Sequence, residues 1–495
     1  MIESGNYTIP SALPAPASPL SWDTPLSSII PDDFVLGPSD AWATSHITLE
    51  DALSHRTGMP RHDRAGSHIR RDDTPGTNAT RRKASVRDGT RLLRHLPTNA
   101  APRTKWQYCN HMFVAASHAV QTLVGGRRGG SEETDVWLGD LLREWLWEPL
   151  GMRSTYFSLE DALAAGEKEE EGKHRLASGY AWDRHAEQFG PEVPFMPTDE
   201  IGGAGAIMSN VEDYSRWIRM LLREEGPLPR EGHRAVRTPR IIMNPEGWAA
   251  VEEEEDAGSP PYDAPMAYAL GWQTSSYRGH RFWTHSGGMH AYGAEVFFYP
   301  DLDLGMVVLG NTAITSNGLA RKLIWDMVDD RLGVPVGERY DWGADMKSYQ
   351  ENLEAAIDTS IDRFYPDRPE QPIPPTLPLK AYEGTYFHPG YLNFTLQPTS
   401  AHEGLITREN ISLVAVRADM TWPTVNQFQH VSGEYWMNFE HLRDSPHGET
   451  LKGYSLVQFV VGPDGHVDRM GITWVQASPN GRDVIEGLVW FDKIE

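Results

Sequence analysis

Residues 280–311 read HRFWTHSGGMHAYGAEVFFYPDLDLGMVVLGN. Their alternation predicts one strand of a hairpin, a turn at Pro300 to Asp303, and an apolar strand that returns beside the first. The small residues Ser286, Gly287 and Gly288 let an extended substrate lie against that strand edge, and the backbone N–H of Gly288 is placed to donate to an oxyanion. Upstream, KWQYCNHMFVAASHAVQTLVGG (105–126) sets Tyr108 and Asn110 one residue apart in a turn that enters a helical run, which Gly125 and Gly126 are expected to close. Alternation points both side chains one way and Cys109 the other. A phenol beside cationic groups can exchange a proton with an attacking hydroxyl or a leaving group, and the Asn110 amide can orient a substrate carbonyl.

Taken singly, these motifs also describe a helix-capping turn and an ordinary glycine-bearing strand. Five blocks in order carry more: ITLEDALSHRTGMPRHD (47–63), RTKWQYCN (103–110), EPLGMRSTYF (148–157), GGAGAIMSNVEDYSRWIRMLL (202–222), and LGWQ followed by WTHSGG (270–288). Through them the chain resembles the serine β-lactamase and penicillin-binding protein superfamily, specifically the class C β-lactamase-like esterases and transesterases. The resemblance implies a mixed α/β (α+β) fold in which a helical lobe packs on an antiparallel sheet with the active site between them. It also implies Tyr108 as proton shuttle and Asn110 as substrate and lysine contact. His285, Ser286 and Gly287 would be the counterpart of the Lys-Thr-Gly strand motif.

The same resemblance demands a Ser-x-x-Lys opening a buried helix, and the sequence contains none. The hydroxyl-x-x-Lys at Thr80 to Lys83 lies in a charged stretch that reads as a solvated loop. The nucleophile helix should precede SWDTPLSSIIPDDF (21–34), where Pro10, Pro14, Pro16 and Pro19 stand instead. Interior prolines disfavour a helix by about 3 kcal/mol each. Three readings are open: a sequence that starts late, a lost nucleophile, or a replacement, for which Cys109 near His111 and His285 is the candidate. A thiol activated by imidazole does acyl transfer, whereas a buried one is inert.

A formal charge of −24 argues against nucleic acid and anionic membrane as partners and leaves a small-molecule acyl substrate. One cysteine excludes an internal disulfide, and no signal peptide or spanning segment is recognisable, so a cytoplasmic protein is expected. EKEEEGK (167–173) and VEEEED (251–256) read as acidic surface loops. Residues 61–83, with seven Arg or Lys against three Asp, read as a loop overhanging and gating the cleft. No His-Glu-x-x-His or Cys-x-x-Cys appears, so neither metal nor cofactor is expected. His55 and His62 are expected to satisfy loop carbonyls, and GGAG (202–205) to pack closely beside the cleft. THSGG lacks the first glycine of a nucleophile elbow.

Past residue 340, DWGADMKSYQENLEAAIDTSIDRFYP (341–366) predicts an amphipathic helix and DRPEQPIPPTLPLK (367–380) a proline-rich linker. Regular strand-like runs from 381 to 495 predict a small antiparallel barrel with Trp474 and Trp490 in its core. Its EGTYFHPGY stretch resembles the lipocalin-like domain of class C relatives, which would buttress the catalytic lobe or shape its entrance. The expected domains are 1–366, the linker, and 381–495. The function expected from the resemblance is a serine hydrolase or acyltransferase for an ester, amide or thioester. The alternative is a catalytically silent small-molecule-binding protein.

Overall fold

The alternating stretch forms the centre of a six-stranded antiparallel meander, β1 (Ile241–Ile242), β2 (Ala267–Tyr268), β3 (Gln273–Tyr277), β4 (His280–Met289), β5 (Tyr292–Tyr299) and β6 (Leu304–Gly310), paired in that order. The computed structural model describes residues 1–9, 18–72, 80–128, 136–167, 175–245, 261–448, 450, 452–477 and 483–494. The acidic runs at 168–173 and 251–256, Pro10, Pro14 and Pro16, and residues 73–79 of the basic segment lie outside them.

Period-two alternation gives the sheet two apolar faces. Trp283, Val296 and Phe298 pack against Ile218 and Leu221 of helix α2 (Val211–Arg223), which Asn210 caps by accepting the Asp213 N–H at 2.9 Å. Phe282, Phe297 and Tyr299 pack on the opposite side against Ile324, Trp325 and Val328 of helix α3 (Thr315–Leu332). Trp325 is fully buried and stacks on Trp342 at 4.4 Å. Truncating such an aromatic costs about 3–5 kcal/mol. Gly305 lets α2 close on β6, because a Cβ there would sit 2.3 Å from Ile218 Cγ2.

Two expectations need correction here. Residues 280–299 are two strands, broken at His290 and Ala291, where buried Ala291 packs with Val193 and Ala313. An unbroken run of that length would extend about 66 Å, far past the sheet it must cover. Helix α1 (Asn110–Arg128) also runs through Gly125 and Gly126. Glycine disfavours a helix by about 1 kcal/mol. Burial of Met112, Val114, Ala115, Ala119 and Val124 outweighs that penalty.

Helix α4 (Trp342–Asp358) and a further turn, Ser360–Phe364, lead to residues 367–380. These are strapped to a hairpin turn downstream: Gly433 N–H donates to the Ile373 carbonyl at 2.7 Å and Thr376 N–H to Glu434 at 2.8 Å. Eight strands from Gly384–His388 to Val484–Lys493 form a closed antiparallel barrel, the last pairing with the first at Tyr386–Lys493 and Phe387–Asp492. Its interior, including Phe394, Trp436, Trp474 and Phe491, is continuous with lobe residues Leu92, Leu93, Met112 and Ala115. Trp490 is not in that core. Its neighbours Val489 and Phe491 point inward, so Trp490 faces out, under Arg469 at 4.4 Å. Among the described residues no helix is long and apolar enough to cross a membrane.

Candidate active site

The turn before α1 and strand β4 face each other across a cleft that holds about 4880 Å³, open mouth included. Tyr108 and Asn110 line one wall and His285, Ser286, Gly287 and Gly288 the other, with the Tyr108 and His285 rings 6.1 Å apart. Gly203, Ala204 and Gly205 of the GGAG stretch line the same cleft. Its apolar wall includes Phe113, Met208, Trp272, Tyr292 and Trp422, and its charged lining residues are Arg61, Lys105, Arg175 and Asp483.

His55 sets the Tyr108 turn. Its Nδ1 accepts the Cys109 N–H at 3.0 Å, one of the donors that a helix start leaves without an intrahelical partner, and its ring lies 4.2 Å from Tyr108. Accepting at Nδ1 places the proton on Nε2, which has no hydrogen-bond partner among the described residues. Burial, then the neighbouring His285 ring and the Arg61 charge, hold this imidazole well below its usual range. His55 therefore serves a backbone N–H, whereas His62 Nε2 does meet a carbonyl, that of Pro97 at 2.8 Å.

The Arg61 guanidinium lies 4.6 Å from the centre of the Tyr108 ring and bonds Asp63 at 2.5 Å. Asp63 also accepts from the Asn110 amide at 2.9 Å. Burial raises the Tyr108 phenol above its ordinary value, and Arg61 pulls against that rise. For Asp63 burial pushes up as well, but Arg61 and Asn110 prevail and the carboxyl stays below the usual range.

His285 Nδ1 lies 2.7 Å from the Ser286 carbonyl and so carries the proton, leaving Nε2 to accept the Tyr268 hydroxyl at 3.0 Å. Burial lowers this imidazole, which is therefore neutral and has both nitrogens engaged. Beside it the edge is open, since a Cβ at Gly288 would meet nothing within 4 Å. Next to Asn110 a small pocket is lined by Asp63, His111 and Glu200; burial pushes the Glu200 carboxyl up to about 7 although Thr421 donates to it at 2.7 Å.

Residues 17–327 match the family described as Beta-lactamase, and residues 368–487 a domain of unknown function, DUF3471. The chain is 35% identical over 457 residues to unguisins hydrolase ungD′ of Aspergillus campestris (strain IBT 28561), covering 92% of this chain and 75% of that one. It belongs to the beta-lactamase family. Unguisins hydrolase ungD of Aspergillus violaceofuscus (strain CBS 115571) is 37% identical over 437 residues, 84% of this chain and 68% of that one. The octameric penicillin-binding protein homologue from Pyrococcus abyssi aligns at a TM-score of 0.45 and 16% identity, over 94% of this chain and 82% of that one. Membership with hydrolase relatives supports a hydrolase or acyl-transfer function in general terms.

For a beta-lactamase-family cleft, the sequence reading missed Arg61, Asp63, His55 and Tyr268, and also Gln107, whose carboxamide is buried beside Tyr108 with no partner for either polar atom among the described residues. The first three lie inside or at the end of the LSHRTGMPRHD run; only their membership of that block could have signalled them. Cys109 is fully buried, and burial followed by the Asp63 charge raises its thiol to about 12. His111 bonds the His62 carbonyl at 3.2 Å. The thiol is thus an inert packing group. Lys83 is exposed and paired with Glu160 at 2.9 Å. In the described parts of the basic segment, residues 61–72 and 80–83, Arg64 and Arg81 pair with Glu440 and Asp419 of the barrel side, at 2.6 and 2.8 Å.

Proposed function

We propose that the cleft receives a bulky small-molecule ester, amide or thioester and is built for acyl transfer of the serine-hydrolase type. Tyr108 moves the proton, Asn110 orients the acyl group, and the edge at Ser286, Gly287 and Gly288 cradles the carbonyl. One observation carries this reading: two segments far apart in sequence bring a phenol under a cation and an open glycine edge to opposite walls of one cleft. The relatives named unguisins hydrolases favour water as acceptor. A neutral His285 supplies no charge for a substrate carboxylate, so esters are favoured over β-lactams. A chromogenic short-chain ester should be turned over faster than a cephalosporin, and the reverse ranking would refute this preference.

The absence of any Ser-x-x-Lys favours a second reading, a binding protein that keeps the cleft without the chemistry. Treating the 495-residue chain with a fluorophosphonate and weighing it intact separates the two. A stoichiometric adduct supports acyl transfer; a folded chain with no adduct counts against acyl transfer by the residues present and is compatible with binding.

A further inference from the structure

Residues 61–67 face two ways. Arg61 lines the cleft, with its guanidinium above Tyr108, and the Asp63 carboxylate lies beside it, shared between Arg61 and Asn110. The residues between and after them look into the barrel. His62 Nδ1 accepts the Tyr391 hydroxyl at 2.5 Å, and Arg64 Nε bonds Glu440 at 2.6 Å, with side chains 18% and 5% exposed. Arg417 donates to the Arg64 carbonyl at 3.3 Å, Ser67 bridges to Met420, and the Ser67 hydroxyl bonds the Asp419 carbonyl. On both sides of Asp63 the backbone is therefore fastened to the barrel.

The groups around the Tyr108 ring are His55, Arg61, Asp63, Cys109, Tyr268 and His285, with exposed Lys105 on the same cleft wall. Burial keeps both imidazoles neutral and the thiol protonated, and Asp63 is an anion. Among these, Arg61 is the cation in contact with the ring.

We propose that Arg61 is the charge against which the Tyr108 phenol exchanges its proton, and that Glu440 of the barrel is the positioning residue that holds Arg61 there through Arg64. The inference rests on reading Tyr108 as the proton-transfer group. The barrel then acts as part of the site, although it contributes neither Tyr108 nor the 286–288 edge.

The test uses the full chain with 3-fluorotyrosine incorporated, whose phenol ionises at lower pH, and reads it by fluorine NMR. The Tyr108 resonance is the one lost in Tyr108→Phe. Arg61→Met should raise its titration midpoint by about one pH unit or more, since a cation at this distance favours the phenolate by that order. Glu440→Gln should shift it the same way, with Glu440→Asp returning toward the parent. Because Glu440→Gln leaves buried Arg64 without its bonded carboxylate, the paired Arg64→Met/Glu440→Leu variant is the companion. It cuts the link without leaving a charge and should show the same shift. The Tyr386 resonance reports whether the barrel stays intact. A Tyr108 midpoint unmoved by Arg61→Met overturns the electrostatic claim. One unmoved in the paired variant, with the barrel intact, overturns the positioning claim. Shifts in a chain that forms no fluorophosphonate adduct would sustain this coupling while the acyl-transfer reading fell.

Discussion

Glu200→Gln should make the protein's stability less sensitive to pH. Glu200 sits in the short turn Asp199–Ile201, 4% exposed, and accepts the Thr421 hydroxyl at 2.7 Å, a bond that the amide oxygen of glutamine can also accept. Burial lifts its carboxyl from an ordinary 4.5 to about 7, so the folded protein holds this proton more tightly than the unfolded chain. The stability that the bound proton contributes is complete below pH 4.5 and is lost as pH rises to about 7. At 1.36 kcal/mol per pH unit the loss amounts to about 3 kcal/mol, and glutamine, with no proton to lose, escapes it. The assay is urea unfolding of parent and variant at pH 5 and pH 8. Titrations of His62, His388 and Glu486 are common to both chains and cancel in the difference. The variant should gain about 2–3 kcal/mol on the parent between the two pH values. Parallel behaviour within about 0.5 kcal/mol would refute the assignment of a neutral buried carboxyl.

Gly58→Ala should destabilise by at least about 2 kcal/mol, because φ is +82° and a Cβ would lie 2.0 Å from the Ala100 carbonyl oxygen; an unchanged urea midpoint would show that the loop relaxes freely. Cys109 should resist iodoacetamide at pH 8 in the native chain and react on unfolding, as intact mass would reveal; rapid native alkylation would contradict its burial. His285→Lys supplies the cation that the neutral imidazole lacks, and should strengthen binding of an anionic cephalosporin roughly tenfold by calorimetry while leaving a neutral ester little changed. Equal effects on both ligands would remove charge from the account of specificity.

The parts of this fold written in contiguous residues could be read in advance. Alternation at 280–310 gave strands, the prolines at 367–380 separated the regular strand runs downstream, and Tyr-x-Asn marked a helix start facing the cleft. What stayed hidden depends on residues distant in sequence. Arg61 is an arginine in an irregular loop, and nothing local ties it to Tyr108. Its anchorage needs Glu440 and Tyr391, which no periodicity connects to it. Trp490 was misplaced because a strand buries alternate residues and the phase was off by one. The break at His290 was missed because apolar alternation continues on both sides of the turn.

The Arg64–Glu440 pair also sets a timetable. Its partners are 376 residues apart, so at roughly 5–20 residues per second a ribosome needs about 20 to 75 s between making one and the other. Through that interval the loop carrying Arg61 and Asp63 has its cleft-side contacts within reach and its anchor still unmade. The 61–67 loop therefore gains its full set of contacts only once the barrel strand that carries Glu440 has been made.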